Sequence, residues 1–132
     1  MKSCALRPSL IRLLIGVAPL LAVGCIKVPD GPHAEVTLPC PQEVTDSLSP
    51  TKPCVTVASS RSSACHVSVS IDCGNAMVGP HRIQPGTQDT LCCPNGGNIS
   101  KINVRCDGEG GECHYYIVIH DAGAPTRRRC FW

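Results

Sequence analysis

The chain has 132 residues, a formal net charge of +2 and only 3% aromatic residues. This length is sufficient for one domain. With so few aromatic side chains, the core must be built mainly from Val, Ile, Leu and Cys. Apolar burial contributes only about 25 cal/mol per Å², so we expect a core this lean to need an additional source of stability.

The first 24 residues have the order basic, apolar, small. Three basic residues precede an apolar run over residues 13–24, and no acidic residue occurs before Asp30. This order is typical of a secretory signal, and the run is shorter than the roughly 20 residues that span a bilayer. We therefore predict that residues 1–24 are a cleaved signal peptide. Its removal takes away three positive charges and no negative ones, leaving 108 residues with net charge −1, which excludes a general attraction to nucleic acid.

The signal ends in Leu21-Ala22-Val23-Gly24-Cys25, which resembles the lipobox of bacterial lipoproteins. The resemblance implies that a dedicated peptidase cuts before Cys25 and that the Cys25 thiol carries a diacylglycerol, with palmitate as a typical acyl chain. Because Ile26 rather than Asp follows the cysteine, it also implies the outer membrane, with the protein facing the periplasm or the cell surface. The expected partners are membrane lipid, through Cys25, and an envelope protein or a cell-wall polymer.

The eleven cysteines indicate where the additional stability comes from. In an exported chain this density is typical of a disulfide framework. If Cys25 is acylated, nine cysteines remain in the mature chain and at least one lacks an intramolecular partner. The alternative is a soluble secreted inhibitor or toxin-like domain, in which Cys25 completes an even set of ten. Cys40 and Cys54, which flank a polar loop, and Cys106 and Cys113, which flank a Gly-rich acidic turn, are disulfide candidates.

Proline content divides the mature chain into two regions. Six of the twelve prolines lie within residues 25–53. Proline fixes φ and disfavours helix at the preceding residue, so we predict that residues 25–53 form an extended, semi-stiff tether. Residues 54–132 then form a Cys-rich β domain.

Apolar residues in this domain recur at every second position, most clearly from Cys65 to Cys73. That alternation is typical of a half-buried strand. Such a strand separates its two terminal cysteines by about 26 Å, far beyond the roughly 7 Å between Cα atoms that a disulfide bridges, so they are not expected to bond each other. The adjacent Cys92 and Cys93 point to opposite faces of a strand and are expected to have different partners.

The last two predicted strands, residues 100–106 and 113–119, suggest a hairpin. Placing Cys106 opposite Cys113 puts nearly all of the apolar side chains on one face, and a slip of one residue would destroy that arrangement. We predict this register and a local disulfide between the two cysteines. Bonds from each of them across the core to another cysteine remain an alternative. Several short strands and no sustained helical period predict an all-β fold, a disulfide-stapled antiparallel sandwich or small barrel.

Motifs of catalysis are absent from the sequence. It has no Gly-x-Ser-x-Gly, no His-Glu-x-x-His and no phosphate-binding glycine loop, so we expect no enzyme, no catalytic residue and no cofactor. The sequence lacks the Cys-x-x-Cys motif of zinc sites, and its acidic loop at residues 107–112 lacks the spacing of an EF-hand. The second alternative is an envelope enzyme or metal carrier. Such a protein would need polar side chains that are distant in the sequence and converge only in the fold. Arg127, Arg128 and Arg129 are candidates for contact with phosphate or an acidic polymer.

Overall fold

A computed structural model describes residues 24–47 and 51–131 of the chain. The predicted signal peptide lies outside the described residues, except for Gly24. The described residues form two units, residues 28–127 and a smaller unit of which residues 24–27 and 128–131 are described. Their strands are β1 (Gly24–Pro29), β2 (His33–Pro39), β3 (Gln42–Ser47), β4 (Cys54–Ser59), β5 (His66–Asp72), β6 (Met77–Ile83), β7 (Gln88–Cys92), β8 (Lys101–Asp107), β9 (Glu112–His120) and β10 (Thr126–Phe131).

The strand order within the larger unit is that of a double-sheet jelly roll. One antiparallel sheet has the order β2-β9-β4-β7 and the other β3-β8-β5-β6. The pairs β2–β9, β3–β8, β4–β7 and β5–β6 are those of an eight-stranded ribbon folded at its midpoint. Consecutive strands therefore lie in different sheets at every connection of this unit except that between β5 and β6, as in two Greek keys. The prediction of an all-β antiparallel sandwich is confirmed, and its two sheets do not close into a barrel.

The core lies between the two sheets and follows the alternation seen in the sequence. Along β5, buried and half-buried residues alternate without exception. Val67, Val69 and Ile71 are completely buried, and the inward residues of the neighbouring strands pack against them. The predicted strand over residues 65–73 is thus confirmed, and its apolar face forms the centre of one wall of the core.

The tether predicted for residues 25–53 is wrong over much of its length. β2 pairs with β9, and β3 pairs with β8, so both are edge strands of the sandwich. Proline is compatible with this position because an edge strand has backbone N–H groups that need no partner in a sheet. Pro39 ends β2, and Pro41 immediately precedes β3. The domain therefore begins well before residue 54.

The hairpin predicted from β8 and β9 is also wrong. β8 pairs with β3 and β5, whereas β9 pairs with β2 and β4, so the two strands lie in opposite sheets. Their apolar faces point at the same core, which is why their patterns match equally well across a sandwich and within a hairpin. The disulfide between Cys106 and Cys113 is nevertheless present, with Cα atoms 6.2 Å apart, and it joins the two sheets.

Four disulfides join strands at the two ends of the sandwich. Cys40–Cys65 and Cys106–Cys113 lie at one end, and Cys54–Cys92 and Cys73–Cys93 lie at the other. The expectation that Cys65 and Cys73 do not pair with each other is confirmed, as are the different partners of Cys92 and Cys93.

A bridge from Cys40 to Cys54, the other local candidate, is not formed. Cys40 precedes β3 and Cys54 follows it. A six-residue strand spans about 20 Å, so β3 carries the chain from one end of the sandwich to the other. The two cysteines consequently meet different partners, Cys65 and Cys92.

The smaller unit contains parts of β1 and β10, which pair as a two-stranded sheet. The disulfide Cys25–Cys130 joins the two strands, with Cα atoms 4.0 Å apart. Cys25, the predicted lipidation site, is therefore disulfide-bonded in this structure. One thiol cannot carry a thioether and a disulfide together, so acylation of Cys25 requires a chain in which this bond is absent.

Candidate functional site

An apolar cavity of about 250 Å³ lies between the two sheets of the larger unit. Its walls come from the edge strands β2 and β3 and from their inner neighbours, β9 and β8. Each of these strands contributes residues from its inward face. The apolar lining includes Val36, Val44, Ile102, Val104, Ile117 and Ile119.

The cavity exists because the inward side chains of the edge strands become smaller or polar with distance from the end that holds the Cys40–Cys65 disulfide. Along β2 the inward positions are Leu38, Val36 and Ala34, which are buried, half-buried and exposed in that order. Along β3, Val44 is half-buried and Asp46 is exposed. Neither Ala34 nor Asp46 supplies the apolar volume that would close the space between the edge strands.

The inner wall is correspondingly unshielded. Ile117 and Ile119 point inward from β9, a central strand of its sheet, yet they are only half-buried. Inward residues of central strands are normally covered by the opposite sheet. These two isoleucines instead present apolar surface to a space that opens toward solvent.

Two polar side chains at inward positions contribute to the lining, Asp46 and Tyr115, whereas His33 borders the cavity from an outward position. His33 lies on β2 with its ring stacked on that of Tyr116, the centroids 5.3 Å apart. Burial raises the pKa of Tyr115 to about 12, and the nearby carboxylate of Asp46 adds to the shift. The phenol is thus neutral at physiological pH, and Asp46 supplies the acidic charge of the lining.

A second cluster lies at one end of the sandwich, where four cysteines converge. The Sγ atoms of Cys40, Cys65, Cys106 and Cys113 all lie within 4.8 Å of one another, and all four residues are buried. Cys40 and Cys65 lie in two different connections, whereas Cys106 is on β8 and Cys113 on β9, so their spacing along the chain carries no metal-binding pattern. A search of the sequence for Cys-x-x-Cys motifs therefore could not find this cluster.

Two carboxylates of the acidic loop at residues 107–112 contact neighbouring side chains of the protein. The carboxylate of Asp107 accepts hydrogen bonds from Ser68 and from Arg105, the latter at 2.6 Å. These two bonds hold the pKa of Asp107 below its ordinary value. Glu112 lies 3.8 Å from the Nε2 atom of His114. Two of the three loop carboxylates therefore have polar partners within the protein.

The buried histidine of β9 has structural partners. His120 Nδ1 lies 2.8 Å from the backbone oxygen of Asp121, and its Nε2 lies 2.8 Å from the Thr56 hydroxyl. A carbonyl oxygen accepts, so Nδ1 is the donor of the bond to Asp121. Thr56 also lies 2.7 Å from the hydroxyl of Thr90. Both ring nitrogens therefore have partners, and the Nε2 contact links β9 to β4, which Thr56 in turn links to β7.

The three consecutive arginines lie on β10. Arg127 and Arg128 are exposed and Arg129 is half-buried. The Nε atom of Arg127 lies 3.7 Å from a carboxylate oxygen of Asp30, so its charge is partly balanced. Contact of these residues with an anion stays a prediction.

No protein-family model, no curated protein and no solved structure matches this chain. Among the residues that the structure describes, no helix is long and apolar enough to cross a membrane. A jelly roll supports many functions, so function must be argued from the cavity and the cysteine cluster.

Proposed function

We propose that this protein is an exported binding module that takes a small apolar molecule into the cavity between β2 and β3. The observation that carries the proposal is the half-exposure of Ile117 and Ile119 on the inner face of a central strand. An apolar ligand would cover them and gain about 25 cal/mol per Å² of buried surface. A cavity of about 150 Å³ lined by aliphatic side chains already binds benzene, and this one is about 250 Å³.

The charge of the lining favours a neutral or cationic ligand. Asp46 is an acid at an inward position of β3, close enough to Tyr115 to affect its pKa. A carboxylate or sulfonate bound at the same place would be repelled by this charge. The Tyr115 hydroxyl, which stays protonated, can hydrogen-bond a polar group of the ligand. The ligand class is therefore an apolar molecule with an amine or an uncharged polar group.

Two fluorescent probes with the same aromatic skeleton test this binding site. N-phenyl-1-naphthylamine is neutral, whereas 1-anilinonaphthalene-8-sulfonate is an anion. We expect the disulfide-bonded protein to bind the neutral probe more tightly, by about tenfold if the unfavourable charge contributes about 1.4 kcal/mol. Asp46→Asn should raise the affinity for the sulfonate and leave that for the neutral probe nearly unchanged. Fluorescence titration measures both affinities.

A matched pair of variants on β2 locates the site. Ala34→Phe adds a large ring at an inward position and should abolish binding of the neutral probe. Glu35→Phe adds the same ring at the adjacent outward position and should leave binding intact. Both positions are exposed on an edge strand, so neither change disturbs the core. Equal binding by the two variants would show that the probe does not occupy this cavity.

We further propose that the module is anchored in a bacterial envelope through Cys25. Support comes from the lipobox-like sequence that ends at this cysteine, with the basic and apolar residues before it. Two or three acyl chains, at about 0.8 kcal/mol per buried CH₂, suffice for stable anchoring. In that form Cys130 has a free thiol or another partner. The alternative is a soluble secreted protein that keeps the Cys25–Cys130 bond.

The intact mass of the protein, purified from a bacterium that processes lipoproteins, separates these two forms. The anchored form has a mass increased by diacylglycerol and partitions with membranes, and Cys25→Ser moves it to the soluble fraction or leaves it unprocessed. Cys130→Ser is the matched control, because it breaks the same disulfide and leaves lipidation intact. An unlipidated parent whose mass accounts for five disulfides would rule out the anchor.

A further inference from the structure

We infer that Cys40, Cys65, Cys106 and Cys113 form a metal site that holds one zinc ion when their disulfides are reduced. Their Sγ atoms lie within 4.8 Å of one another. A zinc ion with four thiolate ligands has Zn–S distances of about 2.3 Å, which places the sulfurs of a tetrahedron about 3.8 Å apart. The two bonded pairs must move apart to that distance on reduction, whereas no two of the four sulfurs are farther apart than 4.8 Å, so coordination requires only small side-chain movements.

The backbone around the cluster holds the four side chains in place. Cys40 donates its N–H to the Gly111 carbonyl at 2.9 Å and accepts from the Gly110 N–H at 3.2 Å. A Cβ atom added to Gly108 would lie 2.6 Å from the Cβ of Cys65. The glycine loop between β8 and β9 thus packs directly against two of the four cysteines. The four side chains keep this arrangement only while the sandwich is folded. Binding of zinc would itself favour the folded state.

The composition of the cluster selects a soft tetrahedral metal. It contains four sulfurs and no oxygen or nitrogen ligand. Four-sulfur tetrahedral sites are typical of zinc and of iron–sulfur clusters, whereas magnesium and calcium require oxygen ligands. All four residues are buried, so solvent would not reach a bound metal ion, as in a structural zinc site.

Metal binding and disulfide formation are alternatives at this site. A phosphine reductant supplies two electrons to each disulfide and becomes a phosphine oxide, with water providing the oxygen and the two protons of the resulting thiols. Four thiols then release four protons as they bind one Zn²⁺. Two equivalents of a small-molecule disulfide reverse the process, since each accepts two electrons and two protons. Zinc is released and the two protein disulfides form again.

Native mass spectrometry of the full chain, reduced with a phosphine in the presence of Zn²⁺ alone, tests the inference. We expect one zinc per chain and retained β-sheet circular dichroism. Alkylation followed by peptide mapping should find Cys40, Cys65, Cys106 and Cys113 protected, whereas the exposed Cys92 and Cys130 react. Addition of oxidised glutathione should release the metal.

Two double variants provide the control. Cys40→Ser with Cys65→Ser removes two ligands and should lose the zinc. Cys54→Ser with Cys92→Ser removes a disulfide at the opposite end of the sandwich and should retain the zinc. Unfolding of the reduced parent chain despite added zinc, or alkylation of the four named cysteines in the presence of zinc, would overturn the inference. This outcome is independent of probe binding in the cavity between β2 and β3.

Discussion

Removal of the Cys54–Cys92 disulfide lowers the free energy of unfolding by about 4 kcal/mol, the largest loss expected for any one bridge within the sandwich. The bond closes a loop of 38 residues, and the entropy of the unfolded chain that a disulfide removes grows with the logarithm of loop length. The double variant Cys54→Ala with Cys92→Ala should therefore show a much lower denaturation midpoint in urea under oxidising conditions.

The Cys106–Cys113 bond is the matched comparison, because it closes a loop of only seven residues. The same relation gives about 2 kcal/mol for the variant Cys106→Ala with Cys113→Ala. Equal losses, or a larger loss from the short loop, would show that strain or packing outweighs chain entropy here. Reduction of all bridges removes a sum comparable with the whole stability of a domain, about 5–15 kcal/mol. We therefore expect the reduced, metal-free chain to unfold.

Ile71→Ala lowers the free energy of unfolding by about 3–4 kcal/mol. Ile71 lies on β5 and is completely buried in the core. Its truncation costs the transfer free energy of the removed methyl and methylene groups and that of the cavity left behind, and such changes typically cost about 2–5 kcal/mol. Urea denaturation monitored by circular dichroism measures the loss.

Ile117→Ala is the control for this prediction, because it removes the same atoms from another inward-facing isoleucine. Ile117 lines the existing cavity and is only half-buried. Its side chain loses fewer contacts and creates no new enclosed space, so we expect a loss of about 1 kcal/mol. Similar losses at the two positions would mean that the space around Ile117 closes in solution, which would also weaken the proposal of a ligand site.

The alternation along single strands was sufficient to predict the fold class. Along β5 every second side chain is buried, as a strand with one face on a core requires. The same geometry correctly excluded a bond between Cys65 and Cys73, because a strand keeps its two ends apart. These conclusions depend only on the local repeat of the backbone, which any partner strand leaves unchanged.

The partners of those strands depended on the tertiary structure. β8 and β9 have matching apolar faces, which predicts a hairpin as readily as two strands facing each other across a core. The structure places them in opposite sheets. The prolines of residues 25–53 predicted a tether, yet β2 and β3 are edge strands, where a missing N–H costs no sheet hydrogen bond. Pairing is a long-range property, and local pattern does not specify it.

The candidate sites show the same division between local and long-range information. The number of cysteines indicated a disulfide framework, but only the fold brings Cys40, Cys65, Cys106 and Cys113 to one point. The small Ala34 and the acidic Asp46 are ordinary residues in the sequence. They leave a cavity only because β2 and β3 lie beside each other at the open edge of two packed sheets. The sequence by itself determined which faces are apolar, because that depends on the period of one strand. The tertiary structure alone decided which apolar faces and sulfurs meet, because that depends on how eight strands are ordered in space.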